Sequence, residues 1–212
     1  MKLMQAGSME KSLANRQRFF LSLGLDVNNL VAGYLAHGTH VQRVAEVDRG
    51  KVIPETDGLI TDSKNVILTV TAADCLPIYF FDQKHHAIGL AHAGWKGVLN
   101  EMAGQMVQAM HSSFGTEPAD LEVYIGSHNQ HYKVLKDRAD LFASFPSHVT
   151  QEGDVFQLDM SGIVRLQLDK LGVTRVQISP ECTHCEIEKC FSYQRDKPEE
   201  AQAMVAYIGI KP

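Results

Sequence analysis

Three short runs of β-branched and apolar residues follow one another closely, Asn65 to Thr71, Ile78 to Phe81 and Ala87 to Ala91, with turn residues between them. Runs of this length and composition predict buried strands. At Gly94-Trp95-Lys96-Gly97 the period changes, and Leu99, Met102, Met106 and Met110 then fall on one helical face, predicting a helix over 98–111. The core of the fold is therefore a set of adjacent strands that ends at a strand-to-helix turn.

The flanking segments fill in the rest. Ser8 to Leu23 reads as an amphipathic helix with Leu13, Phe20 and Leu23 near helical spacing, a Ser cap and Gly24 as its stop. Residues 31–35 and 41–47 read as strands on either side of His37-Gly38-Thr39-His40. Further along, 121–125, 175–178 and 204–210 read as strands, and 132–142 and 160–171 as helices, the second stopped by Gly172. Strands outnumber helices and several connections have hairpin length, which points to an α+β class of layered mixed β-sheets flanked by helices rather than a doubly wound parallel sheet.

With 212 residues, 44% of them hydrophobic, the chain has the length of one domain with one substantial core. Its net charge of −5, without a Lys/Arg run, argues against a nucleic-acid surface. No stretch is long enough to cross a bilayer and the first eight residues lack a signal-peptide core, so a cytoplasmic protein without a membrane partner is expected. Neither Gly-x-Gly-x-x-Gly nor Gly-x-x-x-x-Gly-Lys-Ser/Thr occurs, which removes the strongest sequence support for dinucleotide or P-loop binding.

Chemistry-bearing residues gather at the strand ends. Cys75 follows Asp74 and precedes Leu76-Pro77, and His92 lies among small residues just before Gly94. A third candidate comes from upstream: His37 and His40 are three residues apart, so that either can be a ligand and the other a general acid or base. A histidine, a cysteine and a histidine from three segments, with one position left open, is the catalytic zinc pattern. Copper is not excluded by these donors.

Asp74 is a candidate to orient an imidazole or charge the site, though an Asp at a strand end is commonly a turn residue. Trp95 reads as a core aromatic, and Lys96 as a surface cation or an anion contact at a helix start. Cys182, His184, Cys185 and Cys190 crowd one stretch, which suggests a metal knuckle, but no second Cys-x-x-Cys completes it, and loop thiols without metal are the favoured reading.

Several of these segments match ordered motifs: His37-Gly38-Thr39, Thr56-Asp57-Gly58-Leu59, Ala73-Asp74-Cys75-Leu76-Pro77, Ala91-His92-Ala93-Gly94-Trp95-Lys96-Gly97, Cys182-Thr183 and Phe191-Ser192-Tyr193-Gln194-Arg195-Asp196. On them the chain resembles the YfiH-like family of laccase-domain proteins, whose members are also called multicopper polyphenol oxidases, purine nucleoside phosphorylases and peptidoglycan editing factors. The resemblance implies the YfiH-like, cysteine-hydrolase-type fold as a single domain over 1–212, without the family's N-terminal strand carrying Thr-Arg-x-Gly-Gly. It implies that His37, Cys75 and His92 are zinc ligands. It implies phosphorolysis of adenosine, inosine and methylthioadenosine, and adenosine deamination, with nucleoside and phosphate as small-molecule partners.

Phosphorolysis needs cations for phosphate, for which Lys96, Arg195 and Arg16 are the candidates, and a proton donor, for which His40 is. Catalytic roles are expected for Cys75, His40 and Asp74. Gln194 stands where the family has an arginine, and Gly126-Ser127-His128-Asn129-Gln130 replaces a Gly-Pro segment. Two other readings remain beside the first: amidase-type editing of a peptidoglycan precursor, and a zinc-binding member that has lost catalysis. Copper-dependent phenol oxidation is weaker, because the chain has no His-x-His pair.

Overall fold

Seven consecutive buried residues, Ala87 to Ala93, form a strand whose side chains go alternately to two different cores. Ala87, Ala91 and Ala93 join Ile60, Ile78 and Phe80 under the helical residues Met102, Met106, Met110, Ile163 and Leu168. Ile88 and Leu90 point the other way and pack with Leu59, Val31, Leu68, Val70 and Ala206. Strand period two and burial on both faces explain why these segments read as unbroken apolar runs. Each fully buried Leu, Ile or Phe contributes roughly 1.5–3 kcal/mol, so the double-sided sheet is the main source of stability.

The computed structural model describes residues 6–197 and 202–210. In chain order it contains α1 (Ala6–Ser22), β1 (Leu30–Gly33), β2 (Val41–Arg43), β3 (Val52–Ile53), β4 (Gly58–Thr61), β5 (Ile67–Ala72), β6 (Leu76–Asp82), β7 (Ala87–Ala93), α2 (Trp95–Leu99), α3 (Met102–Phe114), β8 (Leu121–Ile125), β9 (Tyr132–Val134), α4 (Lys136–Ala139), β10 (Val149–Glu152), β11 (Val155–Leu158), α5 (Met160–Lys170), β12 (Arg175–Ile178), α6 (Tyr193–Asp196) and β13 (Met204–Gly209). The central sheet has the order β12-β8-β6-β7-β4-β2, a second sheet the order β13-β5-β1-β3, and a small sheet the order β10-β11-β9. The sheets are mixed: β6 is antiparallel to both β7 and β8, whereas β2 runs parallel to β4 and β8 to β12. This is the layered α+β arrangement expected from the sequence, with helices on one face of the central sheet and the second sheet on the other.

Three segments differ from the sequence reading. The helix expected over 132–142 is a strand, β9, followed by short helical turns, because Tyr132 to Val134 pair with Phe156 to Leu158 in the small sheet. The helix expected over 98–111 is broken at Glu101, which takes a left-handed φ of 59° between α2 and α3. Met102 and Met106 then reach over Gly58, where a Cβ would come within 2.5 Å of Met102 Cε. The strand expected over 41–47 ends at Arg43 and turns into a short helical segment, Glu46–Asp48.

At the N-terminus α1 begins before Ser8, so Ser8 lies inside the helix, and the Leu13 side chain is outside the described residues. The chain leaves α1 at Gly24, as expected, with Leu25 N donating to Phe20 O. No helix among the described residues is long and apolar enough to cross a membrane.

Asp159 starts α5, accepting from Gly162 N at 2.8 Å and from Ser161 Oγ at 3.0 Å, with His148 Nδ1 3.1 Å away. Partial burial pushes its carboxyl up, but these hydrogen bonds outweigh it and hold the pKa below the ordinary 3.8. Asp159→Ala should cost about 1 kcal/mol at pH 7, the usual worth of an N-cap. Because the folded pKa is depressed, the charge-dependent part is present above the unfolded value and fades as pH falls through the folded one. Urea melts at pH 7 and below pH 4 check both the size and the narrowing of the gap.

Candidate metal centre

The second and central sheets end together at one edge, where β5 delivers the chain to Cys75, β7 delivers His92, and the loop between β1 and β2 brings His37 over them. One donor atom from each lies within 4.8 Å of the others. The His37 and His92 rings meet edge to face with centroids 4.9 Å apart. His92 is buried, Cys75 partly so, and His37 is exposed, so the centre sits at the floor of an opening rather than inside the core.

Asp57 organises this cluster. It sits fully buried just before β4, opposite His92. Its carboxylate accepts from Ala36 N at 3.1 Å, His37 N at 3.0 Å and Gly38 N at 2.8 Å, and from His92 Nδ1 at 3.0 Å. The loop amides thus fold around one anion, and the His37 backbone is held at a φ of 56°, a conformation that costs on the order of 1 kcal/mol for a residue other than glycine. With Nδ1–H given to Asp57, His92 turns Nε2 toward the centre, the usual arrangement of a histidine prepared for a metal.

Burial opposes charge at the centre, yet hydrogen bonding wins. It pushes the Cys75 thiol up, while hydrogen bonds from His37 and His92 more than compensate and bring it down to about 7. For His92 burial acts to lower the pKa, and the bonds to Asp57 and Cys75 raise it to about 9. Gly94 keeps the opposite side clear: a Cβ there would lie 3.1 Å from Cys75 Sγ and 3.2 Å from His37 Cδ2. A donor set of one thiol and two imidazoles, braced by a carboxylate and left uncovered by a glycine, fits a divalent metal of the zinc or copper class.

Asp74, expected to orient an imidazole, instead holds the turn before Cys75. It takes a φ of 84°, and its carboxylate accepts from Thr183 Oγ1 at 2.8 Å and Gln194 N at 2.7 Å. Its carbonyl accepts from Asn129 N at 3.0 Å. The orienting task belongs to Asp57, which sequence reasoning did not single out as a site residue even though it lies in the matched run Thr56-Asp57-Gly58-Leu59. Its place in that matched run was the available signal.

Arg195 sits under the loop, not at the opening. Its guanidinium donates to Thr183 O, His184 O, Cys190 O and both carboxylate oxygens of Asp196, which occupies all five of its N–H donors. Arg16 lines a separate recess of about 320 Å³ with Leu30, Lys51 and Thr69. His40 faces another, with Val41, Gln105 and Ser112. The structure brings neither to the His37, Cys75 and His92 cluster.

Lys96 does lie next to it in the chain, as the exposed residue of α2, with Nζ 5.6 Å from the Trp95 ring centroid. The other side of the picture was missed from sequence: Arg138 of α4 stacks on the same ring, Cζ 4.5 Å from its centroid. Trp95 is partly buried against the core. Tyr132 stands close enough to Cys75, Asp74 and Arg138 to feel their charges, and burial first, then the Cys75 and Asp74 charges, push its phenol up to about 12. Arg138 and Tyr132 were hidden because the segment that carries them read as a plain helix.

The chain matches the family described as multi-copper polyphenol oxidoreductase laccase over residues 4–211. It belongs to that family. Among curated relatives it is 32% identical to purine nucleoside phosphorylase YlmD of Geobacillus stearothermophilus, covering 92% of this chain and 77% of the relative. It is 31% identical to the protein of the same name from Bacillus subtilis, covering 93% and 76%. Solved structures agree: YlmD from Geobacillus stearothermophilus superposes with a TM-score of 0.88 at 32% identity, over 93% of this chain and 79% of that one. The YfiH protein of Bacillus licheniformis gives 0.87 at 29% identity, over 93% and 80%. The family resemblance and the fold expected from sequence are thus both shown, while relatives named for phosphorolysis sit in a family named for copper oxidation.

His37→Asn tests the electrostatics, since Asn tolerates a left-handed backbone and removes the imidazole. In the metal-free protein the alkylation rate of Cys75 should rise with a midpoint near pH 7, and the variant's midpoint should move up toward the ordinary thiol value of 9.0. An unmoved midpoint would show that His37 does not bond the sulfur.

Proposed function

We propose that the chain is a zinc-dependent enzyme acting on purine nucleosides, by phosphorolysis of adenosine, inosine and methylthioadenosine and by deamination of adenosine. The observation that carries this reading is the convergence of His37, Cys75 and His92 on one point, in a chain about one-third identical to relatives named purine nucleoside phosphorylase. His37, Cys75 and His92 would hold the metal, and zinc bound there would supply Lewis acidity.

The remaining roles fall to the chain's own groups. Asp57 fixes the His92 ring and the His37 loop, so the donor set pays little reorganisation on binding. Lys96 and Arg138, both set on Trp95, supply the positive charge that a phosphate nucleophile needs, a task for which Arg195 has no donor left. Phosphorolysis forms a bond from phosphate oxygen to the ribose anomeric carbon and breaks the bond to the purine nitrogen, which needs a hydrogen-bond donor as it leaves. The Tyr132 phenol, kept protonated by its raised pKa and near enough to Cys75 to feel its charge, supplies that donor.

A second reading rests on one feature of the same cluster. Cys75, His92 and Asp57 are linked in the order nucleophile, base and orienting carboxylate, the arrangement of a cysteine amidase, and such an enzyme would edit an amide of a cell-wall precursor. Chelation separates the two: purine release that stops on metal removal and returns with zinc supports the first, and amide hydrolysis that survives chelation supports the second. Zinc bound without turnover of either substrate would leave a member that has lost catalysis.

Under the first reading, Cys75→Ala should lose the zinc of the His37, Cys75 and His92 centre together with phosphate-dependent release of purine from inosine. Lys96→Ala and Arg138→Ala should each raise KM for phosphate about tenfold, the worth of roughly 1.4 kcal/mol in a charged contact, with little change in KM for the nucleoside. Steady-state kinetics with each substrate varied in turn check this split, and equal effects on both KM values would remove the phosphate assignment.

A further inference from the structure

The fold draws a second donor set from the cysteine-rich stretch, and it is not the one that spacing suggested. Cys182 and Cys185 meet His131, which comes from the β8–β9 connection, and their donor atoms all lie within 4.8 Å of one another. Neither His184 nor Cys190 is part of that group. All four cysteines are free thiols.

The local backbone favours a metal-binding turn. Cys185 N and Glu186 N both donate to Cys182 O, at 3.2 and 3.0 Å, so the Cys-x-x-Cys segment closes tightly and holds its two sulfurs on one side. Backbone N–H groups of Gln130, Cys185 and His184 are directed at the Cys182 sulfur, and N–H donors of this kind stabilise thiolate charge. Zinc bonds of about 2.3 Å to sulfur and about 2.0 Å to nitrogen place tetrahedral donors roughly 3.5–3.8 Å apart, so the three groups need to move by no more than about an ångström. Cys182 is buried while His131 and Cys185 are exposed, which leaves the fourth position to solvent.

We infer that His131, Cys182 and Cys185 form a second binding site for a soft divalent cation of the zinc class, distinct from the centre at His37, Cys75 and His92. The ion fastens residues 129–131 to residues 182–185. Both segments grip Asp74: Thr183, between the two thiols, donates to its carboxylate at 2.8 Å, and Asn129, whose Oδ1 accepts from His131 N at 2.8 Å, donates its own N–H to the Asp74 carbonyl. Occupancy therefore stiffens the turn that presents Cys75 from behind, without any ligand shared between the two sites.

Cobalt(II) and zinc titrations of the Cys75→Ala protein under reductant test this, because that variant has no intact first centre. One equivalent should still bind, with thiolate-to-cobalt charge-transfer absorption. Adding Cys185→Ser at an exposed position should weaken it by more than about a hundredfold, since even an outer-shell partner is worth 10–100-fold, whereas adding Cys190→Ser should leave it unchanged. Thermal melts of the metal-free variants confirm that each is folded. The site is refuted if Cys75→Ala shows no thiolate–cobalt band, if Cys185→Ser binds as tightly as its parent, or if mass spectrometry finds Cys182 and Cys185 joined as a disulfide that persists under the reductant.

Discussion

The Asp57 carboxylate is the anion around which the rest of the centre is built. It lies fully buried, and a carboxylate taken out of water without partners would be several kcal/mol too costly to keep ionised. Four N–H groups resolve that cost: three successive amides of the loop at 36–38 and the His92 ring. Backbone hydrogen bonds of Tyr34 and His40 tie the two ends of the loop between β1 and β2, and between them this anion shapes residues 36–38. Folding of the loop, orientation of His92 and placement of His37 are consequently one event, and the same contact that stabilises the sheet edge prepares the donor set.

Asp74 plays the corresponding part on the other side of the cysteine. Its left-handed φ of 84° aims Cys75 away from the strand direction, and the strain is held by bonds from Thr183, Gln194 and Asn129. Gln194 goes further, since its side-chain oxygen accepts from Asn129 Nδ2 and Lys133 N and its amide donates to Lys133 O. An arginine at that position could donate but not accept, so this departure from the family motif is matched by a different way of stitching the same loops. Arg195 completes the stitching by tying the carbonyls of 183, 184 and 190 together.

These dependencies explain what the sequence could and could not reveal. His37, Cys75 and His92 were legible as a set through the motifs that resemble the family's, since residue type alone left His37 and His40 unranked, and the double-sided strands were legible because burial on both faces leaves an unbroken apolar run. Asp57 was not, because an aspartate before a strand looks like a turn residue until its partners from 19 to 35 residues away are known. Tyr132 to Val134 looked helical because three residues are too few to show a period of two, and it is pairing with β11 that makes them a strand. The break at Glu101 escaped notice for the opposite reason: Leu99, Met102, Met106 and Met110 keep a helical period across it, and only the left-handed φ of Glu101 separates α2 from α3. Arg195 carried a family motif position whose geometry, not its charge, decides its role.

The charges at the centre also show how binding and stability pull on one another. The Cys75 thiol is brought down to about 7 and the His92 imidazole up to about 9, so between those values the metal-free site holds a thiolate beside an imidazolium. Below that window the thiolate takes up its proton and its contribution is lost; above it the imidazolium gives up its proton and its contribution goes as well. A metal binding there would have to displace the His92 proton that Asp57 helps to hold, and with the ring neutral the same carboxylate would still fix its tautomer through Nδ1. Asp57 would therefore oppose loading through the proton it strengthens and favour it through the geometry it imposes. The geometry is already present in the empty fold, whereas the opposition would end when the proton leaves.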